Sequence, residues 1–368
     1  MEVVRALPNL RSIDLSWTNI SDIGASQLAS CELLERVNLT RTLAGDGAIK
    51  ALTGKPKLCN FWSGSALTDA GMPLFHEFSA FKTWQGGEVK MELPDFDAGP
   101  TYLGVRGSIT NAGLSSLAGL EGLFALNIGE RGLAISAPGL APLATLPNLG
   151  WLSFDADDEA MPFIAAMPKL RFLMCQDTLA SDNGFVSLSR SQSIEKIWGR
   201  RCHNLRTRGF EALSKMPALR SLSVSCKNVD DAGLSSLPSF PALRELMPMD
   251  IPDEGYRHIG KCNQLESLIL MYCRETGDAA TEHLAGLTNL RKYFASYNRI
   301  TDRTPELLSG ISSLEEIVFS GCAGLTNKGI AALARLPRLR ELRAEGMQNV
   351  TPEIVAMFPS SVRVEHSA

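Results

Sequence analysis

The sequence predicts an α/β solenoid in which short parallel strands stack along one side and short helices along the other. Three observations predict it. An apolar phrase, L-x-x-L-x-L, restarts about every 24 residues from Leu10 to Leu339. A Ser/Thr-Asp-x-Gly turn usually follows the phrase. The chain is also 45% apolar over 368 residues, ample for a core that runs from repeat to repeat instead of filling one large globule.

The units start at Leu10, Leu34, Leu58, Phe81, Pro100, Leu123, Leu149, Leu170, Ile194, Leu219, Leu243, Leu265, Leu290, Leu314 and Leu339, about fifteen in all, with Phe81 and Pro100 the weaker starts. In the unit from Leu219, Leu222 and Val224 alternate with Ser221, Ser223 and Ser225, the period of two that a strand imposes. A turn through Cys226 and Asn228 leads to Asp230 and Gly233. Leu234 and Leu237 then supply the buried stripe of a short helix, which Pro238 and Pro241 close. Ser21, Thr68, Thr110, Ser181, Thr301, Thr326 and Thr351 stand where a hydroxyl caps the first free amides. Asp22, Asp69, Asp182 and Asp302 follow, complementing the positive helix end.

The whole of 1–368 reads as one repeat domain with two departures. Residues 85–100, with Gly86-Gly87, Pro94 and Gly99 but no Thr-Asp-x-Gly, read as an irregular repeat or insert in which loop replaces helix. Residues 359–368 read as a more polar C-terminal cap, its last strand carried by Val362 and Val364. Val3 to Leu10 matches the end of a repeat helix, so the chain is expected to open mid-repeat, continuing from an upstream domain or packing on an N-terminal partner.

Cys202, Cys273 and Cys322 share the ninth position of their units, where Thr18, Thr42, Thr178 and Asn298 stand elsewhere. A small group able to donate and accept suits a buried turn. A period of this length with this apolar spacing marks a leucine-rich repeat. The Cys/Thr/Asn position together with the Thr-Asp-x-Gly opening resembles the cysteine-containing subclass, carried by F-box proteins and many bacterial repeat proteins. The resemblance covers residues 7–365 and implies a horseshoe with a parallel concave sheet and short convex helices. It implies a non-catalytic protein- or peptide-binding module, a sensor or adaptor; the alternatives are a substrate receptor of a ubiquitin-ligase-type complex and a self-assembling scaffold.

Composition narrows the function classes further. A net charge of −4 and a pI near 5.8 give no general pull towards nucleic acid or anionic membrane. No apolar run reaches the length of a membrane span, and Met1 to Arg5 lacks the features of a secretory signal. The eight cysteines form no short-spaced ligand pair, so a reducing, cytoplasmic setting without a metal or other cofactor is expected. His76, His203, His258, His283 and His366 fall in different repeats, and no catalytic motif surrounds them. Asp155 to Glu159 reads as a solvated helix start, with a cation-holding cluster the less common alternative.

Function must then lie on a surface. The third, fifth and seventh residues of each phrase face the open side of the sheet, and Trp17, Trp62, Trp151 and Trp198 all fall on or beside such positions. The expected binding surface comprises Trp62, Tyr102, Trp151, Phe172, Met174, Trp198, Arg200, Arg201, Met247, Met249, Met271, Tyr272, Phe294 and Tyr297. Mixed aromatic and Met lining suits an apolar peptide or partner helix, laid across repeats six to thirteen and steered by Arg200 and Arg201. The competing expectation is that these rings pack on one another across neighbouring strands. The basic segment from Lys196 to Arg208 points to an acidic patch on a protein in preference to nucleic acid.

Overall fold

A computed structural model describes residues 7–87, 100–129 and 133–367. The first six residues, most of the expected insert (88–99), residues 130–132 and Ala368 lie outside the described residues. The chain divides into two compact units, Met1–Thr178 with Arg190–Ile194, and Leu179–Ser189 with Glu195–Ala368.

The first unit carries β1 (Ser12–Asp14), β2 (Arg36–Asn38), β3 (Asn60–Trp62), β4 (Tyr102–Gly104), β5 (Ala125–Asn127), β6 (Trp151–Ser153) and β7 (Phe172–Met174). These strands pair in parallel and in chain order, equivalent repeat positions lying side by side: Asn60, Tyr102, Ala125, Trp151 and Phe172 form one such row. Between them Val37, Phe61, Leu103, Leu126, Leu152 and Leu173 point inward and are fully buried, each such side chain contributing about 1.5–3 kcal/mol.

The second unit carries β8 (Lys196–Gly199), β9 (Ser221–Ser225), β10 (Glu245–Met249), β11 (Ser267–Leu270), β12 (Lys292–Ser296), β13 (Glu316–Ser320), β14 (Glu341–Glu345) and β15 (Arg363–Ser367). They too are parallel and consecutive. In both units short α and 3₁₀ turns return the chain from each strand to the next. Among the described residues no helix is long and apolar enough to cross a membrane.

Phe81 corrects the repeat count at one place. No strand follows it in residues 83–87, and β3 pairs directly with β4. Phe81 instead joins Phe61, Phe75 and Phe78 in one aromatic core cluster with centroid separations of 5.7–6.2 Å. Its apolar character reflects the helical side of the preceding repeat (Ser79–Lys82), not the start of a new one.

The Thr-Asp-x-Gly turn works between repeats. Thr68 donates its amide and its hydroxyl to the carboxylate of Asp46, one repeat earlier, at 2.8 and 2.6 Å. Thr110 treats Asp69 the same way, Thr301 Asp278, and Thr326 Asp302. The threonine oxygens of Thr110 and Thr326 meanwhile accept an amide of their own helix. Each aspartate thus completes its successor's cap, and Asp46 and Asp278 also sit in the first turn of their own helices. The glycine follows from that: a Cβ on Gly113 would lie 2.2 Å from Asp69 Oδ1, and one on Gly329 2.0 Å from Asp302 Oδ1.

Burial by itself raises the Asp278 pKa, and the bonds from Thr301 and Thr304 outweigh it, holding the carboxyl below the usual range. Its stabilisation is therefore fully present above the unfolded carboxyl value of about 3.9 and drains away as the pH falls through the lower folded value. Asp278→Ala is expected to lower stability by about 2 kcal/mol at neutral pH. Asp278→Asn should lose less, since Asn327 already serves Thr351 in the same way through its Oδ1 and Nδ2. Urea titrations at pH 7 and across the carboxylate range check both effects; an Asp278→Ala chain as stable as the parent at pH 7 would refute the inter-repeat cap.

Candidate binding surface

In the first unit the outward rings cover one another. Trp62 lies 4.6 Å from Tyr102, Tyr102 5.7 Å from Trp151, and Trp151 5.7 Å from Phe172, the last pair edge to face. The row passes over β5 because Ala125 stands there between Tyr102 and Trp151. It begins over Gly104, where a Cβ would lie 2.7 Å from the Trp62 indole. Asn127 donates to the Tyr102 hydroxyl at 2.8 Å, and burial pushes that phenol's pKa up. Tyr102, Trp151 and Phe172 are consequently buried, Trp151 to 3% exposure. The expectation that these rings stand open is thus corrected: lateral stacking shields them. Trp62 and Met174 remain half-buried.

In the second unit the outward residues sort into three rows. The third positions carry charge except at Ser221 and Ser267; Lys196–Glu245 and Lys292–Glu316 form ion pairs at 3.2 Å, and the fifth-position Arg343 pairs with Glu316 and Glu341 at 3.0 Å. The fifth positions run Trp198, Ser223, Met247, Ile269, Phe294, Val318 and Arg343, of which Trp198, Ile269 and Phe294 are half open. The seventh positions begin with Arg200, Ser225, Met249 and Met271; Arg200 and Met271 are half-buried. Met247 and Met249, expected to be open, are buried at 3% and 0%; their register partners on β9 are the small Ser223 and Ser225, beside which a flexible thioether has room to pack.

The next residue adopts an unusual backbone at several strand ends. Trp17, Arg41, Asp250, Tyr272 and Tyr297 have φ between +53° and +63°, and Gly107, Gly321 and Gly346 occupy the same repeat position at positive φ. A left-handed conformation disfavours any residue but glycine, by about 1–2 kcal/mol. It also swings the side chain away from the sheet: Trp17 is 74% and Tyr297 68% exposed. In the first unit the Arg41 guanidinium lies 4.6 Å above the Trp17 ring. In the second, Arg200 lies 4.2 Å above the Tyr272 ring. The Tyr297 ring lies across Gly321, where a Cβ would approach within 2.4 Å.

Arg200 and Tyr272 belong to an open cleft of about 620 Å³ at the carboxyl ends of β8–β11, walled also by Arg201, Lys227, Asp250 and Arg274 and floored by Met249 and Ile251. Asp250 accepts a bond from the Ser225 hydroxyl at 3.4 Å, and Glu275 pairs with Arg299. Buried thiols nearby are unreactive: burial pushes Cys273 up to about 11 and Cys226 further still.

Structures already solved provide an external measure of this architecture. The complex of TLR13 with ssRNA13 superposes on 98% of this chain and 54% of its own, at a TM-score of 0.57 and 17% identity. The fold is a leucine-rich repeat solenoid. The internalin inlF of Listeria monocytogenes covers 98% of this chain and 87% of its own at 18% identity and a TM-score of 0.45. Rad7 in complex with Elc1 from yeast covers 87% and 86% at 15% identity and a TM-score of 0.45. A family model described as Leucine Rich repeat matches residues 6–29. No curated protein matches the sequence.

Within the leucine-rich repeat fold the ninth-position residues act as donors. Cys273 Sγ reaches the carbonyl of Pro248 at 3.1 Å and Cys322 Sγ that of Ala295 at 3.6 Å, one repeat earlier in each case. Asn298 donates to the Cys273 carbonyl at 2.6 Å. Of the residues expected at the binding surface, Trp198, Arg200, Arg201, Met271, Tyr272, Phe294 and Tyr297 lie in the second unit and retain exposure. Ile269, Lys227 and Arg274 lie beside these residues but fell outside the expected set, which took aromatic and Met side chains with Arg200 and Arg201. Their signal was positional: Ile269 shares the fifth position, and Lys227 and Arg274 stand at the ninth and tenth, just beyond the strand ends.

Proposed function

We propose that the chain is a non-catalytic recognition module, a sensor or adaptor, that binds a protein or peptide on the strand face of its second unit. The anchors are Trp198, Ile269, Met271 and Phe294. One observation carries this reading: these apolar side chains stay half open while the ladder of the first unit seals itself by stacking. Half-open aromatic and aliphatic groups on a rigid sheet supply contact area at little ordering cost, and such groups dominate binding energies. The charged third-position row provides a polar rim on one side.

The test is to select peptides against the full chain from a display library and titrate them calorimetrically. Trp198→Ser with Phe294→Ser is expected to weaken the selected peptides by about 2 kcal/mol or more, roughly thirtyfold. Selected peptides that bind the double variant as tightly as the parent would remove the strand face from consideration.

A further inference from the structure

We propose that the cleft at the ends of β8–β11 receives an acidic segment of that partner, its Asp or Glu carboxylates held by Arg200 and Arg274. The inference rests on the recognition reading above and adds the partner's chemistry. Charge is the first argument. The chain holds 40 acidic and 36 basic side chains, yet the cleft gathers Arg200, Arg201, Lys227 and Arg274 against Asp250 and Glu275, and Arg299 already pairs with Glu275 at 2.6 Å. A local cationic excess in an acidic protein selects an anionic partner.

Geometry is the second argument. The Arg200 guanidinium rests over the Tyr272 ring at 4.2 Å, a contact that favours one placement of a group whose donors match a carboxylate. Met271, an anchor of the apolar row, is the chain neighbour of Tyr272. A segment with apolar anchors followed by carboxylates thus fits both features in one pass. A single-stranded nucleic acid fits less well. One face of the Tyr272 ring is already taken by Arg200, which leaves less of it for a base to stack on.

The experiment uses fluorescence polarisation on the full chain. Four labelled probes are compared: a peptide with apolar residues followed by four glutamates, its glutamine version, its phosphoserine version, and a uridine decamer. The glutamate peptide is expected to bind at least about tenfold tighter than the glutamine peptide at low salt, with the gap narrowing as the Debye length shrinks from roughly 14 to 4 Å. Arg274→Glu, at an exposed position, should cut the gap severalfold, and Arg200→Ala with Arg274→Ala should abolish it. Thermal melting of each variant confirms that it is folded. Equal binding of the glutamate and glutamine peptides, a gap that survives both variants, or tighter binding of the phosphoserine peptide or the decamer overturns the assignment. If the glutamate preference is absent while the Trp198→Ser, Phe294→Ser variant still loses its selected peptides, strand-face recognition stands and the acidic segment falls.

Discussion

Replacing Trp151 by alanine is expected to destabilise the first unit by about 3–5 kcal/mol. The indole is 3% exposed and bridges Tyr102 on β4 to Phe172 on β7 across the small Ala125. Truncation leaves both neighbouring rings without their contact and opens a space that flanking strands, fixed in register, refill poorly. An outward tryptophan serving only as a ligand anchor would behave differently, with a stability change within about 0.5 kcal/mol. Trp62→Ala, at the half-open end of the ladder, should lose less. The urea midpoint together with hydrogen-exchange protection of β4–β7 measures the difference. A change under about 1 kcal/mol for Trp151→Ala would contradict the stacked ladder.

Gly113→Ala should be costly although alanine is the better helix former by about 1 kcal/mol. Gly113 lies inside the short helix Asn111–Ser115, and its added Cβ would meet Asp69 Oδ1 at 2.2 Å and the Ile109 methyl at 3.1 Å. The carboxylate cannot withdraw without releasing the amide and hydroxyl of Thr110. An overall loss of about 2–3 kcal/mol is expected. In an Asp69→Ala background the penalty should shrink by about 1–2 kcal/mol, because the colliding oxygen is gone. Strictly additive single and double variants would show that crowding by Asp69 is not the cause.

The repeat spacing was legible because the strand period and the proline-closed helices act on neighbouring residues. Phe61, Leu103 and Leu126 are buried where alternation puts them. Exposure on the other face was not legible from alternation, which assigns a side chain to a face without saying what covers it there. Trp151 and Phe172 are shielded by residues in other repeats, and the clue lay in the small neighbours Ala125 and Gly104, which give the rings room. The left-handed strand ends escaped notice for a related reason. Tyr272 and Tyr297 hide a backbone preference that only alignment with Gly321 and Gly346 at the same position reveals. Asp22, Asp69, Asp182 and Asp302 were recognised as helix-start residues, but their hold on the following repeat required a spatial neighbour 23 to 41 positions away.

The pairing of Asp46 with Thr68, of Asp69 with Thr110, of Asp278 with Thr301 and of Asp302 with Thr326 sets the same lock and key at four junctions. Excising one complete period joins an aspartate to a threonine that it fits as well as the one removed, whereas a cut of any other size leaves a carboxylate facing no hydroxyl. Such an array gains or loses length only in whole steps, and its ligand-facing variety can grow by duplication without redesign of the joints.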